Sequence, residues 1–154
     1  MTLHTVERVD IETRRLDDVL PPEAVDFLKL DIQGAELMAL MGAPDVLSRT
    51  AVIHCEVEFA PIYQGQPLYP DVQQLLNAAG FSLIDLIVPH LYAPLTAGGP
   101  VSQDRLLWAD AVFFRDTPGA RGLAVQSMAA SLVYRKAGIA AQCLERRRKL
   151  LDGG

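Results

Sequence analysis

The chain predicts a mixed α/β fold, a parallel sheet with helices packed on it, and three observations lead there. Short apolar runs bounded by turn residues, Val25–Ile32, Ala51–Phe59, Phe81–Val88 and Leu106–Phe114, have the length and β-branched character of buried strands. Between them lie helix-forming stretches, and a strand-helix-strand-helix-strand order implies parallel strands, here finished by an antiparallel hairpin. At 154 residues, 50% hydrophobic and 21% charged, the chain has the size and composition of one folded domain with a core.

In chain order, His4–Leu16 mixes β-branched residues with charges in near alternation (Thr5, Val6, Val9, Ile11, Thr13), which predicts an exposed or edge strand. Leu16–Leu20 predicts a short helical turn that Pro21 and Pro22 end. Val25–Ile32 runs into Gln33-Gly34 and then a helix, Ala35–Met41, closed by Gly42 and Pro44. In Ala51–Phe59, the residues Ile53, Cys55, Val57 and Phe59 alternate with His54, Glu56 and Glu58. Pro70 suits the start of a helix, Val72, Leu75, Leu76 and Ala79 share one face, and Gly80 stands at its end. After the strand Phe81–Val88, a Pro- and Gly-rich loop is expected from Pro89 to about Asp104, before the strand Leu106–Phe114. From Ala120 to Leu151 the composition turns Ala-rich, and Gly138 divides it into two helices. The expected division is residues 1–116 as a partial α/β domain and 117–154 as a helical appendage.

A net charge of −5 argues against nucleic acid, because the cations cluster only at Arg146, Arg147, Arg148 and Lys149, which read as the polar end of a helix. Cys55 and Cys143 have no pairing framework and are expected as buried thiols. No apolar run of about 20 residues suggests a membrane span. Glu7, Arg8, Asp10 and Glu12 leave no apolar signal-peptide core, so a cytoplasmic protein is the simplest expectation.

In open α/β sheets ligands bind beyond the carboxyl ends of the strands, which singles out Asp31, Gln33 and Gly34 after one strand and Glu56 and Glu58 at the end of the next. A carboxylate on a central strand costs several kcal/mol to bury unless paired. Two readings follow. Either Lys29 forms a structural ion pair with Glu56 or Glu58, or Asp31 and a glutamate line a cleft as general base or as acceptors for a substrate hydroxyl or amine. His54, Glu56 and Glu58 also suggest metal ligands, and with them a metal-assisted hydrolase, but the outer two lie roughly 13 Å apart on an extended strand and no metal site is assigned. Glu36 in the first helical turn suits the helix dipole. Gly34 suits either a positive φ or close approach of a ligand. Tyr63, Gln64 and Gln66 lie in a loop placed to shape a pocket.

Together, Arg15-Leu16-Asp17-Asp18-Val19-Leu20, Phe27-Leu28-Lys29-Leu30-Asp31-Ile32-Gln33-Gly34-Ala35-Glu36-Leu37, Met41-Gly42-Ala43 and Glu56-Val57-Glu58 resemble the FkbM family of methyltransferases, and Pro61–Leu68 resembles one branch of it. The resemblance covers roughly Leu16 to Phe114. It implies a Rossmann-like sheet and transfer of a methyl group from S-adenosylmethionine, usually to a hydroxyl of a small metabolite, sugar or polyketide. By carry-over it implies that Asp31 and Glu36 lie at the active-site end of the sheet with Glu56 close by; taken with position, Asp31 and Glu56 are the expected catalytic residues and Gln33, Gly34, Glu36, Glu58, Tyr63 and Gln66 the expected substrate-side residues. Gln33 stands where many members have Glu.

The glycine-rich turn that holds the cofactor in such enzymes has no counterpart here, since no G-x-G occurs. The expectation is therefore a partial sheet, lacking the amino-terminal cofactor-binding strands, whose open edge invites a second copy or a partner chain. The alternative is a non-catalytic α/β interaction module derived from the same family.

Overall fold

The computed structural model describes residues 7–93, 95–96, 99–100 and 103–153. Its centre is a four-stranded sheet of β1 (Val25–Leu30), β2 (Thr50–Glu58), β3 (Phe81–Tyr92) and β6 (Arg105–Arg115), in the order β1-β2-β6-β3. β1 pairs parallel with β2, while β6 runs antiparallel to both β2 and β3. β1, β2 and β3 thus run the same way, and the antiparallel strand β6 is inserted between β2 and β3. A small hairpin, β4 (Leu95–Thr96) with β5 (Gly99–Pro100), lies in the segment expected to be all loop.

Helices cover both faces. α1 (Leu16–Val19), α2 (Glu36–Met41), α3 (Pro44–Ser48) and α4 (Tyr69–Ala78) belong to one side, where Leu40, Val46, Leu47 and Leu76 pack with Ile53, Cys55 and Val57 of β2. On the other, α5 (Ala120–Met128), a π-helical turn (Ala129–Val133) and α6 (Ala137–Asp152) bury Val52, Val112 and Phe114 beneath Leu123, Ala130 and Cys143. The alternation along β2 is the cause: Ile53, Cys55 and Val57 meet the first layer, and Val52 and His54 between and beside them meet the second. The carboxy-terminal helices therefore share a core with the sheet. Both cysteines are buried and free, and burial pushes the Cys55 thiol up beyond the ordinary range. No helix among the described residues is long and apolar enough to cross a membrane.

Four expectations need correction. Residues 7–15 form no strand; Val9 and Ile11 are exposed and find no neighbouring strand, so alternation alone did not suffice, and residues 1–6 lie outside the described residues. Pro44 does not merely close a helix but opens α3, where a missing N–H costs nothing. β3 continues past Pro89 to Tyr92, because register shifts around Ile87, His90 and Leu91, with Val88 at φ 48°, place the proline in a bulged edge strand. The carboxy-terminal helices break at Arg135, φ 55°, and Gly138 lies inside the first turn of α6.

Candidate functional site

The carboxyl ends of β1 and β2 converge on the turn 31–36. Gln33 and Gly34 both take positive φ, 57° and 98°, so the chain reverses sharply out of β1. Glu36, 2% exposed, holds this reversal: its carboxylate oxygens accept the Ile32 amide at 2.7 Å and the Gly34 amide at 2.8 Å. A Cβ at Gly34 would come within 2.8 Å of Gln66 Nε2, so the glycine answers to close packing as well as to φ. Gln66 in turn accepts the Ile62 and Tyr63 amides through its side-chain oxygen at 2.9 and 3.0 Å, and its side-chain amide lies buried towards Glu58. Gly34, Glu36 and Gln66 thus build the turn and the loop over it.

Beside the turn, Asp31, Gln33 and Tyr63 are exposed and Glu56 is buried within reach of them. Gln33 is the hub: its Nε2 donates to Glu56 Oε2 at 2.8 Å and lies 3.4 Å from Asp31 Oδ1, and its Oε1 accepts the Tyr63 hydroxyl at 3.4 Å. Lys29 does not pair with Glu56 or Glu58 as one reading expected. It binds Asp31 at 2.9 Å, two residues on, the spacing that puts both side chains on one face of an extended chain. This contact keeps the Asp31 carboxyl below its ordinary range. Glu56 is raised instead, first by burial and then by the charges of Asp31, Glu36 and Asp110. Glu58 is pushed up to about 7 by burial and by Glu36 and Glu56.

Asp110, Trp108 and Tyr134 complete the surroundings, and the sequence reading missed them. Asp110 and Trp108 stand opposite Glu56 and Glu58 across β2 and β6. Asp110 reaches 3.4 Å from His54 Nε2, and the Tyr134 hydroxyl meets His54 Nδ1 at 3.0 Å. The signal for Asp110 was available, since a carboxylate inside Leu-Leu-Trp-Ala-Asp-Ala-Val-Phe-Phe raises the same burial question as Glu56. Tyr134 lies far along the chain in a helical stretch, with no local sign. Among the described residues no three His, Cys, Asp or Glu side chains come together as a metal-holding group.

A groove of about 460 Å³ opens beside this cluster, lined by Gln33, Pro61, Ile62, Tyr63, Tyr92 and Trp108, among others. Its wall is where Gln33 connects to Glu56. The space over Gly34 is filled by Gln66 and, at 3.2 Å, by Tyr63 Cδ2, while a second opening of about 510 Å³ lies against Ile32 and Ala35 of the turn and Met38 and Ala39 of α2.

A model of the methyltransferase FkbM domain matches residues 2–83. The chain is also 36% identical over 61 residues to "2-O-methyltransferase NoeI" of Sinorhizobium fredii, a stretch covering 38% of this chain and 25% of that protein. The chain thus spans about a quarter of the curated relative it matches. No solved structure matches it. The match spans more than half of the chain and contains the turn, Asp31, Glu36, Glu56 and Glu58, so this chain belongs to the FkbM methyltransferase domain family.

Proposed function

We propose that the chain forms the acceptor side of an S-adenosylmethionine-dependent O-methyltransferase acting on a hydroxyl of a small metabolite or sugar. The observation that carries this reading is that Glu56, a carboxylate with raised proton affinity inside the segment that matches the family, is joined through Gln33 to a groove one side chain away. A carboxylate whose pKa is lifted towards neutrality is better matched to accepting a hydroxyl proton. In this scheme Gln33 orients Glu56, Glu56 takes the proton of the acceptor hydroxyl onto a carboxylate oxygen, and Lys29 holds Asp31 ionised at the mouth. Family membership supports S-adenosylmethionine as methyl donor, and its contribution is an electrophilic methyl group.

The test is calorimetric titration of the purified chain with S-adenosylmethionine and S-adenosylhomocysteine, followed by methyl-transfer assays on hydroxylated acceptors. Micromolar binding is expected, with transfer abolished or reduced by about 10²-fold or more in Glu56→Gln. A folded chain that binds neither compound overturns the reading for this polypeptide and leaves a non-catalytic module.

A further inference from the structure

A line of side chains, Tyr134, His54 and Asp110, runs from the carboxy-terminal helices to the strand that carries Glu56. We propose that Asp110 is a positioning residue for Glu56, a role that rests on Glu56 acting as the base, and that Tyr134 and His54 hold Asp110 in place from the helical layer.

The strand register builds the arrangement. β2 and β6 are antiparallel, and Asp110 stands directly opposite Glu56, while Val112 stands opposite His54. Directly opposed side chains share a face with their Cβ atoms about 5 Å apart, and diagonal ones come within reach when the side chains are long. Asp110 therefore meets Glu56 head-on and His54 on the diagonal, where its Oδ1 lies 3.4 Å from His54 Nε2. The His54 and Asp110 side chains are 13 and 20% exposed, so charge is weakly screened between them.

Tyr134 decides which ring nitrogen of His54 carries the proton. Its hydroxyl lies 3.0 Å from His54 Nδ1, and its ring packs against the imidazole with centroids 6.0 Å apart, as Phe27 does at 6.2 Å. Burial and the charge of Asp110 push this hydroxyl up to about 12, so it stays a neutral donor. A hydroxyl donating to Nδ1 leaves the proton of a neutral imidazole on Nε2, facing the carboxylate. The other tautomer would set a bare lone pair against Asp110 at a nitrogen closed off from solvent.

Glu56 is raised by burial first and then by Asp31, Glu36 and Asp110, while Lys29 acts in the opposite sense. Glu58, on the same strand, is coupled to it by like charge. These neighbours are not equivalent. Asp31 is joined to Lys29 at 2.9 Å, and Glu36 gives its two oxygens to the Ile32 and Gly34 amides at 2.7 and 2.8 Å. Asp110 is set against Glu56 by the pairing of the strands and is oriented through His54 from outside the sheet.

The test is NMR titration of the full chain labelled with carbon-13 at glutamate and nitrogen-15 at histidine. The Glu56 carboxyl signal, assigned by its loss in Glu56→Gln, is followed between about pH 4 and 9. No methyl donor or acceptor is present, so failure here and failure of methyl transfer are separate results. In Asp110→Asn the proton affinity of Glu56 is expected to fall about tenfold, and Asp110→Glu, which returns the charge, is expected to restore it. Neutral His54 in the parent is expected to carry its proton on Nε2, and Tyr134→Phe to mix the two ring forms. Folding of each variant is checked by circular dichroism. A Glu56 affinity unchanged in folded Asp110→Asn overturns the proposal, as does a parent His54 protonated on Nδ1 or a ring form that Tyr134→Phe leaves untouched. Where Asp110→Asn does not fold, the ring-proton assignment in the parent and in Tyr134→Phe decides the matter.

Discussion

Glu58 is 4% exposed at the end of β2, and its environment holds its carboxyl at about 7 against an ordinary 4.5. Burial is the main cause, and Glu36 and Glu56 add like charge. A folded pKa above the unfolded one means that the folded state binds the proton more tightly, so the contribution to stability is fully present below pH 4.5 and is lost as pH rises through about 7. Glu56, raised for the same reasons, acts in the same sense. Glu58→Gln removes the charge and keeps the shape. The variant is expected to match the parent in thermal unfolding at pH 5 and to melt higher at pH 8, and a Tm difference that does not grow between these pH values would refute the assignment. Placing two carboxylates on a central strand thus lowers stability at neutral pH, the kind of local cost that functional sites carry.

At the scale of elements, the Leu-Asp-Asp step proves to be a helix cap reached across the chain. Asp17 accepts the Val46 amide at 2.9 Å and the Asp45 amide at 3.2 Å, at the start of α3. Desolvation opposes its charge, but those two amides, with Arg15 and Arg49, hold its carboxyl below the usual range. With the folded pKa depressed, the stabilisation is present above 3.8 and is lost as pH falls through the folded value. Asp17→Ala is expected to lower Tm by a few degrees at pH 7, with the gap closing on acidification towards pH 2; a constant gap would place the effect elsewhere. Such a partnership explains what was legible. The strands β1, β2 and β6 and the helix α4 were readable because period and turn residues reside in the segments themselves. The cap on α3 joins residues 28 and 29 positions apart, and the His54–Tyr134 contact spans 80, so no local pattern encodes either. The acidic ends of β1 and β2 could be singled out from position, whereas Lys29, with Glu56 and Asp31 both in prospect, chose the carboxylate two residues on, a choice between local and cross-strand partners that the pattern alone does not make.

At the scale of the whole molecule the two helical layers leave the sheet's faces covered and its flanks exposed. β3 and β1 are the outer strands, and they differ. β3 carries bulges and Pro89, devices that discourage another strand from pairing with it. β1 is a regular six-residue strand, with Phe27 39% exposed and a charged tie to the helices, Asp26 with Arg121, at 2.8 Å. A regular edge of this kind presents unpaired backbone groups to any strand that fits. We therefore expect association through β1, either with a second copy or with a strand supplied by a partner. Sedimentation velocity from micromolar to hundreds of micromolar should show reversible self-association, and hydrogen exchange should show β1 amides gaining protection with concentration. A monomer throughout this range, with β1 amides equally exposed at both ends of it and no partner strand recovered on the edge, would mean that β1 is guarded by its own side chains and that the four-stranded sheet is the complete working unit.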